Sequence, residues 1–421
     1  MKYVIIGNST AGIGAVEGIR QIDKNGEITI ITNEAHHTYS RPLISYLLLG
    51  KTTEEKMKYR GSNFYTDNNA VLLSNTAAVK IDADKKSLSL SNGKSIAYDK
   101  LLVAAGSSPF VPPFEGLDTV KNKTTFMSLD DARKIDEMLA DKPQAKVLII
   151  GAGLIGLKCA EGIVKKVSKI TIADLAPRIL SSILEDESAA IVQKHIENSA
   201  GGHGQAVVEF KLSSSVKKFD GNNAIMENGE TAAFDVLVLA VGVRPNTALL
   251  KDIADIDRAI IVNGKSETSA PDIYAAGDCT QALDVSSGQK KVMALLPNAY
   301  MQGECAGINM AVSALGAGQE KSFDKAIPMN AIGFFGLHMI TAGNYSGEVY
   351  INKDNENYKK LFYSDNKLNG FILIGNVEKA GIYTSLIRER TPLDSIDFAL
   401  VCEKPGLMAF TKEDRKVKLG S

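Results

Sequence analysis

The chain has 421 residues, 44% apolar and 23% charged; with no run of eighteen apolar residues it reads as a soluble globular protein of two or three domains, without a membrane span. Forty-eight basic residues against 49 acidic ones leave no net field, so neither nucleic acid nor anionic lipid is suggested as a partner by charge. Cys159, Cys279, Cys305 and Cys402 lie far apart, with no CxxC or metal-ligand spacing; such usage suits packed thiols in a reducing cytoplasm.

The N-terminus does not read as a signal peptide, because its apolar stretch runs only from Tyr3 to Ile6 before a glycine loop and the charged Glu17 and Arg20. YVIIG is a β-branched run ending at Gly7, and GNSTAG then has the spacing of a dinucleotide loop with Ser9 where a glycine is expected. A serine there adds a Cβ near the phosphate but also a hydroxyl donor, worth about 1 kcal/mol net, so binding should survive. EITIITNE closes the unit at Glu34, 27 residues after Gly7, where a carboxylate can accept hydrogen bonds from ribose hydroxyls. Further on, VLIIGAGLIG carries the complete pattern: Gly151 for the tight turn, Gly153 for close approach to a pyrophosphate, Gly156 for helix packing. KITIAD ends that unit at Asp174, 23 residues after Gly151. One such loop is weak evidence; two complete units in one chain point to two dinucleotides.

Three more segments bear on which dinucleotides these are. YDKLLVAAGSSP (Tyr98–Pro109) and FDVLVLAVGVRPN (Phe234–Asn246) are strands ending in small residues and glycine, and TSAPDIYAAGDC (Thr268–Cys279) delivers Gly277 and Asp278 at a strand end. With the two loops, these resemble the two-dinucleotide flavoprotein family of pyridine nucleotide-disulfide oxidoreductases, in its branch of NADH:rubredoxin and ferredoxin reductases, NADH oxidases and nitrite-reductase flavin domains. The resemblance runs in the same order from residue 1 to about 345.

It implies an α/β fold: two Rossmann-like dinucleotide-binding domains, one for FAD and one for NAD, plus a C-terminal α+β domain. The FAD domain would be discontinuous, about 1–112 and 244–322, the NAD domain about 113–243 and the third about 323–421. FAD would be held by Gly7, Ser9, Ala11, Gly12 and Glu34, by Arg41 and Pro42 of YSRPLIS beside the flavin, and by Ala105, Gly106, Gly277 and Asp278. Ala78 and Val79 would meet the adenine through their backbone, and Pro297 and Ala299 would begin the helix whose dipole end faces the isoalloxazine. NADH would be held by Gly151, Gly153, Leu154, Ile155, Gly156, Asp174 and Gly242. Asp174 would disfavour NADPH, since a carboxylate and a phosphate about 4 Å apart repel by roughly 4 kcal/mol at an effective dielectric of about 20, which solvent and Arg178 would reduce but not reverse.

Two departures from the family pattern shape the chemistry. Neither the first helix nor Tyr39–Leu49 carries the redox cysteine that disulfide-reducing members need, so a thiol relay is unsupported. Where iron-sulfur-protein reductases often pair a lysine with a glutamate near flavin N5, this chain has Tyr46 and Lys158. Lys158, a catalytic candidate with Arg41, would favour the negative charge arriving with hydride. Otherwise it faces solvent or pairs with Glu161 one turn on. The expected activity is hydride transfer from NADH to FAD and then electrons to a one-electron protein acceptor: rubredoxin, an iron-sulfur protein or a partner subunit. Alternatives are an NADH oxidase or a CoA-disulfide-reductase-like enzyme and, from another class, an NADH-binding flavoprotein sensor or interaction module.

NSAGGHGQAVVEF (Asn198–Phe210) reads as a mobile loop in which His203 is solvated and without a role, and GEVYIN, NYKKLFYS and LNGFILIG read as antiparallel strands, with helices after Glu378. In the family this last segment often supports dimers, so a homodimer is among the partners the resemblance allows. The basic tail ending in KVKLGS reads as a solvated terminus.

Overall fold

The computed structural model describes residues 1–200, 206–354, 356–411, 413 and 415–416. Each β-branched run at a sheet centre is a strand buried at every position but the first. Lys2–Ile6 lies in the middle of a five-stranded parallel sheet, in the order Ile273–Ala275, Lys100–Val103, Lys2–Ile6, Glu27–Ile31, Ala70–Leu73, with Ile5 opposite both Ile30 and Leu102. Strands covered on both faces show no polar alternation, which is why these segments read as continuous apolar runs. Val207–Lys211, Lys169–Ala173, Lys146–Ile150, Val236–Leu239 and Lys123–Thr125 repeat the design as a second parallel sheet. The chain thus leaves the first sheet after Val103, builds the second, and returns with Ile273–Ala275 beside Lys100–Val103.

Seven helices recur below: α1 (Thr10–Ile22), α2 (Ile44–Leu48), α3 (Leu129–Leu139), α4 (Leu154–Ile163), α5 (Asp186–Ser199), α6 (Leu296–Leu315) and α7 (Ala380–Glu389). α6 lies on α1 with backbones almost touching. A Cβ at Gly303 would stand 2.0 Å from Ala11 O and one at Gly307 2.2 Å from Ala15 O, while on the other helix Gly14 and Gly18 face Tyr300 O and Glu304 O at 2.5 and 2.3 Å. Four glycines on two faces therefore set the separation, and with it the distance from the α6 N-terminus to the loop before α1.

The third segment is an antiparallel sheet in the order Met329–Phe334, Leu337–Gly343, Lys367–Ile374, Tyr358–Ser364, Glu348–Lys353, with α7 packed on one face through Tyr383 and Leu386. The three strands read from the sequence form; Met329–Phe334 and Leu337–Gly343 were not anticipated, and they become the functionally important pair. The expected loop from Asn198 to Phe210 needs correction: Asn198 and Ser199 close α5 and Val207–Phe210 is strand, because the helix and sheet patterns extend further than the glycine-rich composition suggests. Residues 201–205, His203 among them, and the tail beyond 416 lie outside the described residues.

One apolar core crosses all three parts. It joins Ile44 and Leu48 of α2, Ile149, Leu157 and Ile172 around the second sheet, and Phe334, Met339 and Phe362 of the antiparallel sheet.

Candidate functional site

The two glycine loops have the same backbone form. Gly7 has φ +119° and Gly151 φ +113°, a region closed to residues with a Cβ, and a side chain at either would lie about 2 Å from a backbone carbonyl, Ala104 O (2.1 Å) or Ala240 O (2.2 Å). Ser9 occupies the N-cap of α1, yet its side chain makes no cap hydrogen bond. A serine at that position ordinarily caps the helix, so here the hydroxyl remains available to a ligand, together with the free N–H groups of the first turn.

A cavity of about 370 Å³ opens over this loop and is walled by Gly7, Ser9, Ala11, Glu34, Arg41, Ala105, Gly106, Gly277, Asp278 and Ala299. Of the other residues expected there, Gly12 packs beneath the loop, with Gly7 O 2.0 Å from where its Cβ would be, and Pro42 faces a second cavity. Ala78, Val79 and Pro297 line neither; Val79 is 59% exposed. The chemistry of the wall suits a dinucleotide: an unused hydroxyl and N–H groups, two acceptor carboxylates, and at Gly106 no protein atom within 4 Å of a would-be Cβ.

Asp278 has Ser107 Oγ at 3.4 Å as its side-chain donor, and burial pushes its carboxyl above the ordinary 3.8, opposed by that bond and by Arg41. A carboxylate raised in the folded state contributes stability below its unfolded pKa and loses it as pH rises through the folded value. Asp278→Asn should therefore raise the melting temperature of FAD-free protein at pH 7, with no gain at pH 3, while weakening FAD binding by at least about tenfold through loss of a charged acceptor. Paired melting curves across pH and an FAD titration check both halves.

Glu34 is not free in this structure. Arg41 Nη2 donates to Glu34 Oε1, Tyr39 Oη donates to Oε2 at 2.9 Å, and the same Tyr39 oxygen accepts from Arg41 Nη1 (3.0 Å) and from Leu129 N (3.0 Å) at the start of α3. Arg41 thus stands at Glu34 as well as on the second cavity, and Tyr39, which the sequence did not single out, links the segment before α2 to the start of α3.

In the second loop a Cβ at Gly153 would meet nothing within 4 Å, which leaves its backbone open to a close ligand. Asp174 accepts from Ala152 N (2.6 Å) and Ala176 N (2.8 Å), one on each oxygen, and keeps lone pairs for ribose hydroxyls. Arg178 is committed elsewhere, to Asp186 at 3.0 Å and Leu184 O at 3.0 Å.

The second cavity, about 610 Å³, lies at the seam and shares Arg41, Met127 and Leu296 with the first. Its walls are largely apolar: Ile44 and Tyr46 from α2, Phe126, Leu154 and Ile155 at the start of α4, and Ile332, Met339 and Ile340 of the antiparallel sheet. Lys158 lines it. Pairing with Glu161, which the sequence offered as an alternative to a catalytic role, is realised, and solvent exposure is not, since the side chain of Lys158 is 13% exposed and that of Glu161 8%; the lysine nevertheless stands on the cavity wall. Glu161 also accepts from Phe335 N at 2.9 Å, so this helix is bonded to the hairpin of the third domain. Glu161 and the hairpin were not among the expected site residues. The i, i+3 spacing pointed to Glu161, but nothing in the local pattern places Ile332 or Met339 beside Lys158.

All four cysteines are buried, and none lines either cavity. Burial raises every thiol, Cys279 to about 12 and Cys305 and Cys402 to about 11, so thiolate is scarce at neutral pH.

A family model described as pyridine nucleotide-disulphide oxidoreductase matches residues 1–303. The chain belongs to that family. It is an FAD-dependent oxidoreductase that uses a nicotinamide nucleotide. A second model, the rubredoxin NAD+ reductase C-terminal domain, matches residues 328–391, the antiparallel sheet and α7. This flavoprotein is 32% identical over 403 residues to the NADH-dependent phenylglyoxylate dehydrogenase subunit epsilon of Aromatoleum evansii, covering 93% of this chain and 92% of that one. It is 31% identical over 322 residues to the NADH oxidase of Methanocaldococcus jannaschii, covering 74% and 70%. The structure of a covalent putidaredoxin reductase-putidaredoxin complex aligns over 100% of this chain and 99% of that one, with a TM-score of 0.85 at 22% identity, a likeness of fold. Among the described residues no helix is long and apolar enough to cross a membrane.

Proposed function

We propose that this flavoprotein takes hydride from NADH and delivers electrons singly to a protein acceptor of the iron-sulfur or rubredoxin type, either a separate carrier or a partner subunit, in the cytoplasm. The observation that carries this reading is a seam cavity with a lysine but no thiol in its wall, so that electrons reach no cysteine relay. The similarity to a dehydrogenase subunit along nearly the whole chain supports it. Residues 1–112 and 244–322 are assigned to FAD, 113–243 to NADH, and 323–421 to the third domain.

FAD, when bound, supplies a ring that accepts hydride and can be emptied one electron at a time. The chain's part is positional. Ser9 and the N–H groups before α1 hold the pyrophosphate, Glu34 and Asp278 take hydroxyls of ribose and ribityl, and the Gly151–Gly156 loop with Asp174 holds NADH. Leu154, Ile155, Phe126 and Tyr46 exclude water from the seam, and Lys158 keeps a positive charge there.

Asp174 with no free arginine beside it predicts a preference for NADH. Asp174→Asn should narrow the ratio of kcat/KM for NADH over NADPH by at least about tenfold, and comparable values for the two in the unaltered enzyme would overturn the assignment.

The proposal is tested by mixing holoenzyme, NADH and a rubredoxin or ferredoxin. Turnover of about 10 per second is expected, each NADH reducing a pair of acceptor molecules. Oxygen uptake that matches NADH loss with the acceptor left oxidised would establish the oxidase reading instead, which the Methanocaldococcus relative's name favours. Negligible turnover with every acceptor, despite tight NADH binding, would favour a sensor.

A further inference from the structure

The ammonium of Lys158 stands where the three domains meet. It donates to Glu161 on its own helix and to Gly333 O at 3.2 Å in the strand Met329–Phe334, and the ring of Tyr46 on α2 lies 4.6 Å from Nζ. The carboxylate holds the charge toward α4, whereas Gly333 is itself on the wall of the seam cavity, and the Phe334 ring beside it lies further off, 6.0 Å from Nζ. The ring is a contact of another kind: Tyr46 and Lys158 both line the seam cavity, so the π face keeps the ammonium at the cavity wall. The support under the ring is rigid. Ser45 and Leu48 beside it are buried, and α2 packs on α4 so closely that a Cβ at Gly162 would come within 3.0 Å of Ser45 O.

We propose that Tyr46 is the positioning residue for Lys158: its ring, through the cation–π contact, fixes the ammonium at the seam rather than letting it withdraw onto Glu161, which does not line the cavity. The inference rests on the reading of the seam cavity as the place where nicotinamide meets FAD. It concerns the ring face and not the hydroxyl, since a phenyl face attracts a cation as well.

Two measurements on holoenzyme variants test it: the midpoint potential of the bound FAD, and the stopped-flow rate of its reduction by NADH. Lys158→Met, with the double variant Lys158→Met/Glu161→Gln beside it to separate lost charge from lost stability, sets the scale for loss of the charge. Tyr46→Phe, which keeps the ring face, is expected to restore most of what Tyr46→Leu loses in both measurements. Tyr46→Leu should slow reduction about 2- to 30-fold, the range that corresponds to a cation–π contact of ordinary strength, and move the potential in the same direction as Lys158→Met. Combined with Lys158→Met, it should add no further slowing. Tyr46→Met replaces the leucine variant if that one does not fold.

Normal potential and rate in Tyr46→Leu, beside an impaired Lys158→Met, overturn the role of Tyr46 and leave the seam reading standing. Additive losses when Tyr46→Leu is combined with Lys158→Met, or impairment in Tyr46→Phe as deep as in Tyr46→Leu, show Tyr46 acting otherwise than through its ring face on Lys158 and overturn it too. If Lys158→Met itself has unaltered potential and rate, the ammonium has no part in flavin reduction, and the role of Tyr46 falls with it.

Discussion

Gly303→Val is expected to give protein that purifies nearly colourless and melts well below the unaltered chain. A Cβ at position 303 would lie 2.0 Å from Ala11 O, 2.7 Å from Ala11 C and 2.8 Å from its Cα, all backbone atoms of a helix that cannot swing aside as a side chain can. The helices must separate, and every close approach along them is lost together: Gly307 on Ala15, Gly14 on Tyr300, Gly18 on Glu304. Overpacking of this kind costs about 3 kcal/mol or more when backbone has to move, which corresponds to a fall in Tm of roughly 6–12 °C for a domain of this size. The cofactor effect should be larger still, because Ala11 on one helix and Leu296 and Ala299 on the other all line the first cavity. Calorimetry and the ratio of flavin to protein absorbance measure the two losses. A yellow variant with unaltered Tm would show that the close approach of α1 and α6 governs neither stability nor cofactor retention.

Lys158→Met should slow reduction of the flavin by NADH at least tenfold, and the structure shows how to separate that effect from misfolding. Removing the ammonium leaves Glu161, 8% exposed, without its charged partner, and breaking one half of a buried pair costs about 3–5 kcal/mol. A slow and unstable single variant would therefore be ambiguous. Lys158→Met combined with Glu161→Gln removes both charges, while the amide oxygen can still accept from Phe335 N, which Glu161 holds at 2.9 Å. This double variant is expected to recover most of the lost stability and none of the lost rate. If the rate returns with the stability, Lys158 is a fastener between α4 and the hairpin and not a catalytic group.

Much of the dinucleotide machinery was legible from sequence, since its requirements are local. A strand that ends at a glycine of positive φ, a helix that starts on small residues and an acid at the next strand end all lie within about 30 residues of one another, and Gly7, Ser9 and Glu34 come together on one cavity, where Gly277 and Asp278, whose place there came only from the family resemblance, join them. The adenine contacts at Ala78 and Val79 rested on the family resemblance, and those residues line neither cavity. The extent of the Asn198–Phe210 loop was misjudged because glycine content says where a chain can bend, not where hydrogen-bonded pairing stops.

By itself the sequence determined that two βαβ units would each present a glycine loop and a carboxylate, that no cysteine would stand in the flavin-side segment, and that the last hundred or so residues would form antiparallel strands. Only the tertiary structure decided what stands at the seam: that Arg41 turns onto Glu34, that Lys158 keeps an acid partner in Glu161, and that Tyr46 and the Met329–Gly343 hairpin enclose them. The physical reason is separation along the chain. Tyr46, Lys158 and Gly333 are more than a hundred residues apart in succession, and no pattern of local period can say which distant surfaces will share one apolar core, because that is settled by how whole sheets and helices pack.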